Sequence, residues 1–521
     1  MEHSRPPSFV YSVRFIGRRK MRCDGLRPAC GQCVRAERAE DCEYLDGPGP
    51  TQNQILEGRI AEIEGRIAQI TAESAPLTLV DPYAAWRQAQ RNAEQSRRDP
   101  MRSLVRSFFQ SAAEFGFFLH IHRFLDRVFY PSATGAHSLR ILRNVIHLIG
   151  AKLLNDPQEQ AYLTRALQEM PTATALREDP ASALYVMQAE VLLANYFYNG
   201  GRQLEGVYHT NAAVSIAVAS RLHMIRSSRR SRTAADANTY SLPMPADTLE
   251  EGERINGFWT VFILDRCWAI ASGSAPAFTD DEAMGTQIDT PWPMDLTHYQ
   301  SHPFPSDFRS SRTVKSFIAG TDGDANMATQ SLLATQAKAA ILYEGATRLA
   351  SRYGPSSHSS FRALDDRIER FKHALPRIER FDPTRADIVR AALFTHTLAH
   401  CASIQLHTPV VQQLTANSPT YQAAHAAVRD LRNLNDNRVL TCVNPFMGIL
   451  WASVARVITQ GIATGRRLRA AGGAAPSQSP PDENTLLSEL SRILEAMEQN
   501  APLSPLMSAQ IALFRSSPRS S

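Results

Sequence analysis

Cysteine is scarce over most of this chain. The sequence has 521 residues and seven cysteines, and only Cys267, Cys401 and Cys442 lie beyond position 42. A secreted disulfide scaffold is short and cysteine-dense, so that class is excluded and free thiols in a reducing compartment are expected. The N-terminus has no apolar stretch followed by a small-residue cleavage site, so no signal peptide is expected. No apolar run approaches the roughly 18 residues of a membrane span. A Gly-rich phosphate loop and a nucleophile elbow are both missing, which argues against the common nucleotide-binding and hydrolase chemistries. Alternating strand patterns are few. Charge of one sign is not in large excess either: 56 Lys and Arg against 51 Asp and Glu give a net charge of +5.

What is present is concentrated. From Arg14 to Arg35 there are seven cations (Arg14, Arg18, Arg19, Lys20, Arg22, Arg27 and Arg35) and one acid, Asp24. Such a local excess attracts polyphosphate. Four cysteines sit within and just beyond this run, at 23, 30, 33 and 42, spaced Cys-x6-Cys-x2-Cys-x8-Cys. A Cys-x2-Cys step places two thiolates on one knuckle, and zinc takes four tetrahedral ligands of this soft kind. Cys23, Cys30, Cys33 and Cys42 are therefore the candidate metal ligands.

The Gly/Pro-rich stretch LDGPGPTQNQ (45–54) reads as a linker. After it, Leu56, Ile60, Ile63, Ile67 and Ile70 recur at steps of four and three. That is a coiled-coil seam about two heptads long, with Gly58 and Gly65 on the outer face and Arg59 and Glu64 placed to attract across a parallel pair. A short amphipathic helix packing on its own chain is the other reading.

From about Leu104 to Gly465 the pattern is helical. ALYVMQAEVLLANYF places Leu184, Met187 and Val191 on one face. INGFWTVFILDRCWAIA places Ile255, Phe258, Trp259, Phe262 and Ala269 on another. Residues 226–248 and roughly 293–326 read as long polar loops. Residues 466–484 are of low complexity. Beyond them Leu486, Leu487, Leu490, Ile493, Leu494 and Met497 make an amphipathic helix that either docks on the domain or serves as an acidic activation segment.

The stretch RRKMRCDGLRPACGQCVRAERAEDC resembles the binuclear zinc cluster, Zn(2)-C(6) type, of fungal transcription factors. A second resemblance lies further on. EEGERINGFWTVFILDRCWAIASGSAPAFTDDE (250–282), IDTPWP (288–293) and the preceding GRQLEGVYHTNAAVSIAVASRLHMI (201–225) are similar to that family's middle homology region. The resemblance implies an all-α fold: a large helical regulatory domain behind a small zinc module and a short coiled coil. It implies a nuclear protein that binds double-stranded DNA as a homodimer. Cys23, Cys30, Cys33 and Cys42 would be its third to sixth cysteines and Pro28 its loop proline. Arg19 and Lys20 would read bases, and Arg18 and Arg22 would contact phosphate.

The match departs at its front. The family's first two cysteines should fall at 13 and 16, where this chain has Val13 and Ile16. In the family the first and fourth cysteines bridge two metals, so the binuclear cluster lacks two ligands as written. Three explanations stand: residues 1–17 come from a misread intron ending near Gly17, the cluster is degenerate, or the four remaining thiolates gather round one zinc.

FTHTLAHCASIQLH sets His396 and His400 four apart, with Cys401 and His407 nearby. No Glu follows the first His as a zinc protease motif requires, so core residues are the expected reading. His120 and His122 are expected to be structural. Asp265 and Arg266 are expected to form an ion pair in the helical core.

The expected organisation is residues 1–17 of uncertain origin, a partial cluster over 18–46 and a linker over 47–54. The coiled coil covers 55–71, a second linker 72–104 and the helical domain 105–465. A low-complexity linker at 466–484 and a C-terminal helix at 485–515 follow. The expected function is zinc-dependent, sequence-specific regulation of RNA polymerase II genes, with co-regulators or the transcription machinery as further partners and no catalytic residues. A helical co-regulator that has lost DNA binding is the alternative, and a metal-using helical enzyme a more distant one.

Overall fold

The computed structural model describes residues 24–42, 44, 52–73, 100–129, 136–173, 180–229, 242–321, 331–411, 414–434, 437–470 and 481–516. The chain divides into two compact units, Met1–Arg98 and Asp99–Ser521. Among the described residues both are helical. The one β interaction among the described residues is a single parallel bridge between Ser227 and Ser310.

In the first unit a five-residue helix, Gly31–Arg35, and a 3-10 turn, Ala39–Asp41, shape the cysteine segment. A separate helix runs Gln52–Glu73. It begins inside the stretch read as a linker, because Gln and Asn continue a helix once Leu56 and the isoleucines have started one.

The second unit is built round helices whose apolar residues are not confined to one stripe. Every residue from Leu184 to Asn199 in helix Pro180–Asn199 is buried. In helix Thr248–Ala271 the predicted face, Ile255, Phe258, Trp259, Phe262 and Ala269, is buried, and so are Val261 and Ile263 on other faces. Helices buried all round occupy the centre of a large core. Leu332–Ser351 packs on Ala386–His407, which packs in turn on Pro419–Arg432. Small residues allow the closest crossings: a Cβ on Gly150 would meet the Leu104 carbonyl oxygen at 2.2 Å.

Helix starts follow local chemistry. The Asp247 carboxylate accepts the Glu250 N–H at 2.7 Å, Ser331 Oγ accepts the Ala334 N–H at 3.2 Å, and Asp482 accepts the Thr485 N–H at 2.9 Å. Each satisfies an amide that the first turn leaves without a partner.

The three stretches behind the second resemblance meet one another. Trp259 donates its indole N–H to the Pro291 carbonyl at 2.7 Å and stacks on Trp292 with centroids 4.5 Å apart. The Asp289 amide donates to the His223 carbonyl at 2.9 Å.

Three expectations need correction. The 293–326 region is not simply a polar loop. It holds helices Leu296–Ser301 and Thr313–Ala319, and Tyr299, Val314 and Phe317 are buried beneath it. These helices are too short to show a period, and their anchors are single aromatic or apolar residues. Part of the 226–248 stretch is also structured: Arg226 pairs with Glu251 at 2.6 Å. Asp265 and Arg266 do not close on each other. As neighbours on one helix they diverge, and each grips the segment beyond the helix end. Asp265 accepts the Ala277 and Phe278 amides at 2.9 and 3.0 Å, while Arg266 donates to the Phe278 carbonyl at 2.8 Å and reaches Glu344 at 3.6 Å.

The C-terminal amphipathic helix, Glu483–Asn500, is docked. Leu486, Ile493 and Met497 are buried against helices Pro419–Arg432 and Met447–Ala470. Asn500 donates to the Leu440 carbonyl at 2.7 Å and accepts the Val443 amide at 3.1 Å. Its acidic face is not wholly outward, since Glu489 is buried and bonded to His425.

Candidate metal centre and nucleic-acid interface

The cysteine segment folds round sulfur. Cys30 caps helix Gly31–Arg35, with its Sγ accepting the Cys33 N–H at 3.4 Å. The Ala39–Asp41 turn brings Cys42 back, so that the Cys30 N–H donates to Cys42 Sγ at 3.2 Å. Cys30 and Cys33 are fully buried, and the apolar neighbours packed on them are Cys42 and Tyr44.

Two residues that spacing did not single out set this loop. Both carboxylate oxygens of Asp24 accept the Gly31 N–H at 3.0 Å, and a Cβ on Gly31 would lie 2.5 Å from that carboxylate. Tyr44 donates its hydroxyl to the Leu26 carbonyl at 2.5 Å, closing the segment end to end. A glycine directly after a ligand cysteine was the available signal for the first. The second has none, because its partner is a backbone atom 18 residues away.

The three sulfurs lie within 4.8 Å of one another. Thiolates at about 2.3 Å from a tetrahedral zinc are about 3.8 Å apart, so small side-chain rotations would close the set on an ion. The protonation pattern agrees. Burial alone would raise Cys30, but the Cys33 amide and the neighbouring thiols bring it below its ordinary value. Burial and the two adjacent sulfurs push Cys33 up to about 12. Crowded thiols of this kind lose their protons together only when a cation joins them. Cys30, Cys33 and Cys42 thus fit three positions of a zinc site, and the chemistry zinc would supply is folding of the loop around itself. Cys23, Arg18, Arg19, Lys20 and Arg22 lie outside the described residues.

On helix Gln52–Glu73, the predicted seam residues Leu56, Ile60, Ile63 and Ile67 are 49–57% exposed, and Ile55 beside them 47%. Ile70 lies on the same helix with its side chain outside the described residues. A Cβ on Gly58 or Gly65 would meet nothing within 4 Å.

The histidine-rich helix separates its members. His396 and His400 converge on Asp430 of helix Pro419–Arg432, with Asp430 Oδ2 3.5 Å from His396 Nδ1 and 3.1 Å from His400 Nε2. Burial would raise Asp430, but the two imidazoles hold its carboxyl well below the usual range. Burial lowers His400. Cys401 turns away to the Leu450 carbonyl, and His407 pairs with Asp365 at 2.9 Å. Of the other predicted structural histidines, His120 accepts the Arg123 amide at 3.3 Å, and its ring lies 5.8 Å from that of His122.

A cavity of about 280 Å³ opens beside Phe117, Trp268, Phe394 and Phe446. Its asparagines are engaged by the chain: Asn195 donates to the Phe115 carbonyl, Asn256 to the Met294 carbonyl, and Asn444 accepts the Phe446 amide. Among the described residues no helix is long and apolar enough to cross a membrane.

Residues 17–50 match the fungal Zn(2)-Cys(6) binuclear cluster domain, and residues 105–364 match the fungal specific transcription factor domain. Neither a curated protein nor a solved structure matches the chain. Both matched families are transcription factor domains, and the first is a zinc-binding one.

Proposed function

From a chain that belongs to the fungal Zn(2)-Cys(6) transcription regulators, we propose a zinc-dependent, sequence-specific DNA-binding protein. It acts in the nucleus on RNA polymerase II genes, as a homodimer. The convergence of Cys30, Cys33 and Cys42 directly behind the basic run Arg18–Arg22 carries this reading. Cys23 is the fourth of the ligands. Arg19 and Lys20 read guanine O6 and N7 in the major groove, and Arg18 and Arg22 hold phosphate.

The second copy of the chain is the partner for helix Gln52–Glu73. A stripe of Leu56, Ile60, Ile63 and Ile67 this exposed is stabilised by pairing with its own kind, and Arg59 and Glu64 complement each other across a parallel pair. The helical domain supports this dimer and meets co-regulators or the transcription machinery.

Selection of bound sequences from random duplex DNA tests the reading. Arg19→Ala and Lys20→Ala should each lose about 1–3 kcal/mol of base discrimination. Unchanged preference in both variants would reject them as readers. Sedimentation of wild type against Ile63→Lys tests the pairing, with a monomer expected only in the variant.

Val13 and Ile16 favour a second reading, a co-regulator without DNA binding, because two ligands of the binuclear cluster, one of them a bridging one, are missing. The double variant Val13→Cys/Ile16→Cys separates the two. Zinc and DNA binding in the wild type supports the first reading, and binding only in the double variant supports the second.

A further inference from the structure

The His396, His400 and Asp430 cluster belongs to the helical unit and takes no part in the cysteine site. Its hydrogen-bond arithmetic does not close without a cation. His396 Nε2 lies 3.0 Å from the Pro376 carbonyl oxygen. A carbonyl only accepts, so the ring proton sits on Nε2 and a neutral ring presents a bare lone pair at Nδ1. That lone pair faces Asp430 Oδ2 at 3.5 Å. His400 Nε2 faces the same oxygen at 3.1 Å. Two electron-rich atoms, His396 Nδ1 and Asp430 Oδ2, thus face each other, and His400 Nε2 adds a third lone pair at the same spot when its ring proton sits on Nδ1.

The spacing suits a metal. Nitrogen and oxygen ligands at about 2.0–2.1 Å from a tetrahedral zinc are about 3.3 Å apart, and the two separations to Asp430 fall on either side of that value. The histidines lie on successive turns of one helix and the aspartate on the helix packed against it. The Pro376 carbonyl is the outer partner that fixes which His396 nitrogen is free, a regular feature of histidine ligands.

Other charges nearby are already engaged. Lys372 is held by Glu369 at 2.6 Å and Ser403 at 3.1 Å, and Arg429 lies 3.8 Å from the other Asp430 oxygen. The three side chains are 8–14% exposed, so an ion can reach them and a water can fill a fourth position. His400 Nδ1 is buried without a partner. With a metal on Nε2 this nitrogen carries the ring proton and lacks the outer acceptor that His396 finds in Pro376.

We propose that His396 Nδ1, His400 Nε2 and Asp430 form a three-ligand site for a zinc-class divalent cation. The site clamps helix Ala386–His407 to helix Pro419–Arg432. It makes the rigidity of the helical unit depend on metal supply, separately from the cysteine cluster. Imidazole and carboxylate donors accept zinc, cobalt and nickel, so zinc and cobalt are suitable probes. The inference does not rest on the DNA-binding reading.

The test uses the full chain, stripped with chelator, reloaded with zinc and desalted. Zinc per chain is counted for the wild type, Asp430→Asn and His396→Gln. Each variant should hold one equivalent fewer, with DNA binding unchanged. In the Cys33→Ser variant, cobalt should still give tetrahedral d–d bands without thiolate charge transfer, and the added Asp430→Asn change should remove them. Asp430→Asn keeps the side-chain shape, and circular dichroism checks its fold. X-ray absorption on the zinc-loaded wild type needs no variant at all: a nitrogen/oxygen shell beside the sulfur shell is expected. Equal zinc counts in all three proteins, or a zinc environment of sulfur alone, would overturn the site and leave a protonated His396 as the cation that Asp430 sees.

Discussion

Sulfur does opposite work in the two units. In the first, Cys30, Cys33 and Cys42 converge, the sulfurs of Cys30 and Cys42 accept backbone amides, and almost nothing apolar surrounds them among the described residues. In the second, Cys267 and Cys401 are buried singly among large side chains, and burial pushes both thiols far above their ordinary range. Burial likewise moves Cys442 up to about 11. Those thiols are inert packing groups. The difference is between a segment too short to bury a core, which must be held by a metal, and a unit large enough to stabilise itself.

The largest break in that comparison comes from the cluster. Cys33→Ser should abolish zinc retention by the N-terminal segment and unfold it, since structural zinc contributes on the order of 10 kcal/mol to small sites. Melting of the helical unit should be unaffected by this change, as read by calorimetry. The converse variant is Trp268→Ala. Trp268 stacks on Tyr198 with centroids 3.7 Å apart and meets Phe446 edge-on at 5.2 Å. Its loss should cost about 3–5 kcal/mol of helical-unit stability in denaturant titration, with the sulfur-bound zinc retained.

Smaller effects sharpen the comparison. Gly58→Ala and Gly65→Ala should each stabilise helix Gln52–Glu73 by about 1 kcal/mol, because nothing opposes the added methyl. Circular dichroism of a peptide spanning that helix would read the gain.

The smallest effect is acid sensitivity at His223. Burial lowers its proton affinity, with the Gly285 carbonyl opposing in part. A depressed histidine binds protons more readily unfolded than folded. Its contribution is therefore complete above the unfolded value near 6.5 and is lost as pH falls through the lower folded value. Stability of the helical unit should decline from pH 6.5 downward, and His223→Gln should flatten that slope.

Legibility in the sequence followed the range of the interaction. The Cys-x2-Cys knuckle and the helix that carries Leu56 to Ile67 are both local. Each is set by residues within about one helical turn or one heptad, so spacing alone revealed it. The helix over 483–500 was legible as amphipathic, but not what it would meet. Asp265 and Arg266 were misread because their partners, Ala277, Phe278 and Glu344, are distant in the chain. Helices 296–301 and 313–319 were missed because their formation depends on seats for Tyr299 and Phe317 that other helices provide.

The sequence by itself determined that a cysteine segment precedes a large helical unit, and it marked Cys30, Cys33 and Cys42 as candidates to converge, since these depend on residue type and short-range periodicity. Only the tertiary structure decided that Asp430 would meet His396 and His400, that Tyr44 would close the cysteine loop, and that the C-terminal helix would dock. Those outcomes depend on which surfaces the packed helices bring within a few ångströms, and no local pattern encodes that.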